Sequence, residues 1–420
     1  MSGKIVNNVF RASGVIAATP GGLDWSTAVV TGSTLTASAG NGYFINTTSN
    51  ACTITLPSSA EIGDQIVFAD YARTWSTNNV IIDSNGLNFQ GSDDTYTVDY
   101  DTAGQSLNIV YSDATKGWLP VSDDAVAFNN SPPPTQKAIF GFGSNGGPSN
   151  LVSSSGVVAA DVTRVGTNRN YPGACTYGGD KAIFAFGAGL TNVKNLVSNS
   201  GVVAADGTGV GTARQHSPAA GYGGDKGIFG YGTSGSGVSM TNLVSNSGVV
   251  ASDTTGVGTA REALAAVTYG SDKAIFGFGR NGGTYYSITN LVSNQGVVSA
   301  DVTGVGTTRT GLSAASYGST GQAIFAYGWN GSAGYLSMSN LVSNSGVVST
   351  DTTGVGTVRQ HLGGSGYGAD KAIFAFGENG TVGIVNTRNL CNNVGVIAAD
   401  AAGVGQARYA LKAAGFSTSA

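Results

Sequence analysis

The chain has 420 residues, of which 41% are hydrophobic and only 10% charged, with a formal charge of −4. It is too apolar and too weakly charged for a disordered chain, and without a basic cluster it carries no electrostatic footprint for nucleic acid. Its 66 glycines are about twice average usage; set among Val, Ile, Thr, Tyr, Phe and the turn formers Asn, Asp and Ser, they predict an all-β protein.

The opening segment, MSGKIVNNVFRASGVIAATPGG, lacks the apolar core of a signal peptide, and no apolar run reaches the roughly 18 residues of a membrane span. A soluble protein with no export signal and no membrane insertion is expected. Cys52, Cys175 and Cys391 are odd in number and irregularly spaced, so they read as buried small residues and not as a disulfide framework or a zinc site. Residues 1–38 lack periodicity and read as an N-terminal arm or docking segment. From 39 to 122 come short strand-like runs, among them CTITLP and QSLNIVY with period-two alternation, separated by turn clusters such as SNG and GSDD. These predict a small β-sandwich or jelly roll. Residues 123–136, with Pro132, Pro133 and Pro134, read as a stiff Pro-rich linker.

From Lys137 to the C-terminus the segment KAIFGFG recurs, starting at Lys137, Lys181, Lys226, Lys273, Gln322 and Lys371. Six units of 44 to 50 residues indicate a propeller, a solenoid or an array. Each unit offers two apolar runs joined by a Gly-Asp turn, a third run of the type NLVSNSGVV, and a short closing GVGTAR that is only weakly strand-like. KAIFGFG is apolar on both faces and must be covered on both, which neighbouring blades of a propeller provide. The chain enters the repeats at a second strand and ends in AAGFSTSA, which matches a first strand. Pairing of Ala413–Phe416 with Ala138–Phe142 is therefore expected, closing a six-bladed ring.

Each unit holds an Asp followed eight residues later by an Arg, from Asp161 and Arg169 to Asp400 and Arg408. Six equivalent pairs spread around a ring are scaffold and not an asymmetric catalytic cluster. Neither GFGSNGG nor YGGD is followed by the helix N-terminus of a phosphate loop. The three glutamates, Glu61, Glu262 and Glu378, nominate no carboxylate pair. No catalytic residue, metal ligand set or cofactor is expected. His216 and His361 would have to meet to bind a metal, and three units apart they are expected on opposite sides of the ring.

Two stretches vary between units: the loop after the second run, and the five residues after each Arg (NYPGA, QHSPA, EALAA, TGLSA, QHLGG, YALKA). In a four-stranded blade both emerge on one face, with the constant turns opposite. Binding loops on a rigid scaffold follow this distribution, and the candidate ligand-binding residues on that face are Arg280, Tyr285, Tyr286, Trp329 and Tyr335.

YGGDKAIF with its trailing Gly, and the Arg that ends each unit, resemble the kelch repeat family over about 284 residues, although the paired glycine is reduced to one and the fourth-strand Trp is absent. The turn between Asp and Arg resembles the Asp-box of six-bladed sialidases. The run GNGYFINTTSNACTITLPSSAEIGDQIVFADYARTWSTNNVIIDSNG and the repeats NLVSNSGVVASDTTGVGTAR resemble β-rich virion proteins of tailed phages, notably fibres and capsid or tail appendages of marine phages. The last resemblance implies a virion structural protein: a tail fibre, head fibre or decoration that docks on other virion proteins through its N-terminal region. It further implies a trimeric homo-oligomer and contact with a host-surface glycan or protein through the variable loops. The alternatives are a carbohydrate-active or carbohydrate-binding, sialidase-like propeller and a cellular kelch-type adaptor.

Overall fold

The computed structural model describes residues 9–12 and 15–18 as backbone, and 23–92, 98–123 and 135–419 in full. Two compact units are present, Met1–Asn130 and Ser131–Ala420. All regular structure among the described residues is β.

In the first unit, strands Asp24–Trp25, Asn41–Ile45, Gln65–Asp70, Ser106–Tyr111 and Trp118–Ser122 form one sheet, and Thr34–Thr36, Cys52–Thr55, Val80–Asp83 and Val98–Tyr100 form another. The period-two alternation buries Cys52, Ile54, Leu107 and Ile109 in a single core with Trp75 and Trp118. Two expectations need correction. Residues 24–36, assigned to the arm, supply strands to both sheets, because their short apolar positions add to edges already laid down by later residues. The jelly roll is also not what forms: up to Val80–Asp83 the chain changes sheet after every strand, and successive strands within each sheet lie parallel, as in a coil. Jelly-roll wrapping pairs strands antiparallel; within these two sheets only the last three described strands do so. Val9–Ala12 pairs with Val15–Ala18. The proline linker lies largely outside the described residues.

Among its described residues the second unit holds six antiparallel three-stranded sheets and two small hairpins. Sheet 1 joins Lys412–Phe416, Lys137–Gly141 and Asn150–Val152; sheet 2, Gly173–Tyr177, Lys181–Gly187 and Thr191–Val197; sheet 3, Ala219–Tyr222, Lys226–Gly230 and Thr241–Val244. Sheet 4 joins Ala265–Tyr269, Lys273–Gly277 and Thr289–Val292; sheet 5, Ser313–Tyr317, Gln322–Asn330 and Gly334–Val342; sheet 6, Gly363–Tyr367, Lys371–Ala375 and Arg388–Cys391. The C-terminal strand does pair with the first repeat strand, Ala138 opposite Gly415 and Phe140 opposite Ala413. The middle strands are buried on both faces, with Phe140, Phe184, Phe229, Phe276, Phe325 and Phe374 fully enclosed. Each ring belongs to a separate buried cluster between two neighbouring sheets, and burying it stabilises the fold by about 1.5–3 kcal/mol.

The sixfold pattern extends to the contacts between sheets. Each first strand lies beside those of the sheets before and after it, and the first strand of sheet 6 lies beside Lys412–Phe416 of sheet 1. The turns after the first strands are bonded in the same order. Ser417 N donates to Asp180 O at 2.7 Å and Gly178 N to Asp225 O at 2.7 Å; Gly223 to Asp272, Gly270 to Gly321 and Gly318 to Asp370 follow, and Gly368 N donates to Gln136 O at 2.9 Å. The closing GVGT segment forms no strand; the stretch leading to it makes single bridges such as Val152 with Val158 and Ser149 with Val162.

Candidate functional site

The repeated Asp and Arg are joined across sheets and not within a unit. Thr212 donates its main-chain amide and its hydroxyl to Asp253 Oδ2 at 2.9 and 2.7 Å, and Arg214 Nη1 stands 3.7 Å from Asp253 Oδ1. The Arg214 guanidinium lies over the Phe186 ring of sheet 2 at 4.1 Å, while its Nε donates to Tyr231 O of sheet 3 at 2.9 Å. Five further arginines repeat the stacking: Arg169 on Phe142, Arg261 on Tyr231, Arg309 on Phe278, Arg359 on Tyr327 and Arg408 on Phe376. The aromatic partners all sit at positive φ, between 57° and 65°, each followed by a positive-φ glycine. A non-glycine residue there costs of order 1–3 kcal/mol; the desolvated stacking, worth about 2 kcal/mol, offsets that strain. Burial lowers the Arg214 guanidinium to about 10, which leaves it charged at neutral pH. These pairs are latches, repeated at every junction with small differences in their hydrogen bonds, and supply no reactive cluster.

The variable loops give a different picture. Arg280–Asn281 and Thr284–Tyr285 form a small hairpin beyond sheet 4; sheet 5 extends through Trp329 and Tyr335, which pair directly across its two strands; Glu378–Asn379 and Gly383–Ile384 form the hairpin beyond sheet 6. Tyr285 meets Trp329 edge-on with ring centroids 5.4 Å apart. Each tyrosine lies on a glycine of the following hairpin: a Cβ at Gly331 would come 3.1 Å from the Tyr285 ring, and one at Gly380 would come 2.8 Å from the Tyr335 ring. Of the five candidates, Tyr285, Trp329 and Tyr335 are thus brought into one half-buried aromatic row. Arg280 Nε donates to Glu262 Oε1 at 3.1 Å. Tyr286 donates its amide to Gly279 O and lies outside the row's ring contacts.

The expectation that His216 and His361 lie far apart is incorrect. Their ring centroids are 5.9 Å apart, and Tyr171 touches both, stacked on His216 at 3.8 Å and edge-on to His361 at 5.0 Å. The physical reason is position. Each stands two residues after its Arg, at the inner end of a first strand, where residues from sheets three apart converge on a common centre. The equivalent residues Tyr171, His216, Ala263, His361 and Ala410 all have φ between 50° and 60°, and Gly311 has 62°. Their backbones bond to one another: Tyr171 N donates to Ala410 O, His216 N to Tyr171 O, Gly311 N to Ala263 O, His361 N to Gly311 O and Ala410 N to His361 O.

His361 Nδ1 is 2.9 Å from Glu378 Oε1, which also accepts from Gln360 Nε2 at 3.1 Å. Burial pushes both imidazoles below their ordinary value, His216 well below it with the help of His361, Lys412 and Arg280; in His361 the Glu378 carboxylate opposes the shift. The bonds from His361 and Gln360 hold the Glu378 carboxyl below the usual range against its burial. Lys412 lines the same small cavity. Tyr171, His216, His361, Tyr409 and Lys412 all fall in the five-residue stretches after each Arg, where NYPGA, QHSPA, QHLGG and YALKA depart from small residues; Glu378 comes from the loop after a second strand. The sequence alone did not single out Tyr171, Tyr409 or Lys412, and Glu378 stood out there only as a glutamate without a carboxylate partner.

Along the first strands, a channel of about 110 Å3 follows, lined by residues of all six, and it opens into a cavity of about 350 Å3 among the constant turns, with Thr135 at the junction. Thr176 and Thr268 donate their hydroxyls to Gly415 O and Gly221 O at 2.8 and 2.9 Å, and Ser316 donates to Thr268 O at 2.8 Å. The channel hydroxyls therefore stitch adjacent first strands together. No protein-family model matches the chain, and no curated protein matches it in sequence.

Proposed function

We propose that residues 137–420 are a six-bladed, kelch-like β-propeller and that the protein is a non-enzymatic virion structural protein, a fibre or decoration of a tailed phage, that meets the host surface with its variable loops. The cyclic order of turn hydrogen bonds and first-strand neighbours supports the propeller. The virion assignment rests on the resemblance of the β-rich first region and the repeats to phage appendage proteins.

One observation carries the binding role: the longest, most uneven loops bring Tyr285, Trp329 and Tyr335 into one row, while the opposite turns remain uniform. Aromatic faces half-open to solvent suit sugar rings or a protein surface. Partners of the first region are other virion proteins, and a trimer fits that class of appendage. Two experiments separate the parts. Detection of the chain in purified particles, and its location by electron microscopy, tests the virion role. Replacing Tyr285, Trp329 and Tyr335 by Ala tests attachment, and unchanged adsorption would refute it. Release of sugar from host polysaccharide would instead favour a glycosidase.

A further inference from the structure

Six Asn-Gly dipeptides occur in the chain, at Asn41, Asn85, Asn145, Asn281, Asn330 and Asn379. Glycine has no Cβ, so its amide nitrogen is the least shielded of any residue that can follow an asparagine. The fold holds five of the six side chains in hydrogen bonds. Asn330 donates Nδ2 to Thr308 O at 2.6 Å and accepts from the amides of Ser332 and Ala333. Asn379 repeats this clamp, donating to Val358 O and accepting from Thr381 and Val382. Asn85, Asn145 and Asn41 donate to Leu56 O, Ala407 O and the Tyr43 hydroxyl.

Asn281 is the exception. It ends the short strand Arg280–Asn281, pairs with Thr284 across the turn Gly282-Gly283, and is exposed together with both glycines. Its side chain makes no hydrogen bond among the described residues, and neither does the Gly282 amide. A Cβ on Gly282 or Gly283 would meet nothing within 4 Å, so the turn stands open to solvent. Each strand of this hairpin is two residues long and none of the four paired residues is buried, which makes it an element that opens locally at little cost. Asn379 stands in a hairpin of the same size, so the side-chain clamp is what separates the two.

We propose that Asn281 is a site of spontaneous deamidation, a covalent change at one end of the aromatic row. The Gly282 nitrogen gives up its proton and attacks Asn281 Cγ; the N–Cγ bond forms, the Cγ–Nδ2 bond breaks, and Nδ2 leaves as ammonia with that proton. One water then opens the five-membered imide. Cleavage of the new N–Cγ bond leaves aspartate, and cleavage of the original peptide bond leaves isoaspartate, whose main chain runs through Cβ and Cγ and is longer by one carbon. No oxidant or cofactor takes part. Either product places a negative charge beside Arg280. The isoaspartate also breaks the register that sets Arg280 opposite Tyr285, the residue that packs on Trp329. The reaction needs no ligand and stands apart from the binding role.

The test incubates the full chain in mildly alkaline buffer, folded in one arm and in urea in the other, with peptide mapping by mass spectrometry at intervals. Deamidation raises a peptide's mass by about 1 Da, and labelling by an isoaspartyl methyltransferase identifies the isoaspartate. In the folded arm the peptide holding Asn281 is expected to convert first, well ahead of those holding Asn330 and Asn379. In urea the six sites are expected to converge, because the clamps are gone. Asn281→Gln, with a side chain too long to close a five-membered ring, should show no conversion at that position. It should also keep the Trp329 emission that moves to longer wavelength in the ageing wild-type protein. Asn281 reacting no faster than Asn330 and Asn379 in the folded chain, or the same ranking surviving in urea, would overturn the proposal. Emission that stays constant in both proteins after conversion would overturn the effect on the row.

Discussion

Asp161 Oδ2 accepts the main-chain amide proton of Gln406 at 2.8 Å, joining sheet 1 to the last segment of the chain across 245 residues. The other five junctions place a Thr where Gln406 stands, and its hydroxyl adds a second bond, as in Thr357 Oγ1 to Asp400 at 2.6 Å. At the closing junction Arg408 also leaves Nε and Nη2 without partners, and Asn150 Oδ1 is unpaired. This junction is consequently the least satisfied along with that at Asn195. Gln406→Thr should restore the missing hydroxyl bond and stabilise the protein by about 0.5–1.5 kcal/mol. Urea unfolding measures it; a destabilised variant would show that the side chain of Gln406 has a role the other junctions lack.

The latch carboxylates make stability fall in acid. In Asp206 the Thr167 hydroxyl bond is the leading cause of a lowered value. In Asp253, Asp301, Asp351 and Asp400 burial pushes upward, but the bonds from Thr and Asn and the charge of Arg outweigh it. Folded values below the unfolded value of about 3.9 mean that this stability is present above that pH and lost as pH falls through the folded values. Because each Asp binds a neighbouring sheet, the loss acts on the whole repeat unit at once. Asp253→Asn should be less stable than wild type at pH 7 and should show a shallower decline below pH 4.5, read by chemical unfolding at a series of pH values.

His216 acts in a higher window. Its imidazole is lowered well below 6.5, first by burial and then by the charges of His361, Lys412 and Arg280. The unfolded chain therefore takes up the proton before the folded one, so stability is full above about pH 6.5 and is lost as pH falls below it. His216→Phe keeps a ring stacked on Tyr171 and removes the titration. Between pH 6.5 and 5 its melting temperature should decline less steeply than that of the wild type. Parallel profiles would mean that His216 is not coupled to folding.

The repeat phase was legible because each unit can be compared with five others: the strands, the glycine turns and the donation of Lys412–Phe416 to sheet 1 all follow from that comparison. What was not legible depends on distance from the centre. A sequence gives the order of sheets but not how short the gap is between His216 and His361 at the inner ends of their strands. The Asp and Arg pairs were recognised as scaffold, yet spacing within a unit cannot say that Arg214 serves Asp253 of the next. In the first unit, short alternating runs predict strands equally well for parallel coils and antiparallel wraps, so Thr34–Thr36 beside Cys52–Thr55 could not be foreseen.

The aromatic row predicts a spectroscopic signature independent of any ligand. Trp329 is half-buried beneath Tyr285, whose ring rests on Gly331. Tyr285→Ala uncovers the indole, so emission should shift to longer wavelength, while the hairpin end contributes little to the core and stability should change by less than about 1 kcal/mol. Gly331→Ala tests the same contact from the other side: Gly331 does not need a positive φ, so the new methyl acts only by displacing the tyrosine ring. Trp25, Trp75 and Trp118 also emit, so Trp329→Phe spectra must be subtracted. If both variants leave the Trp329 component unchanged, the row is not a packed surface, and the order on which its binding role depends is absent in solution.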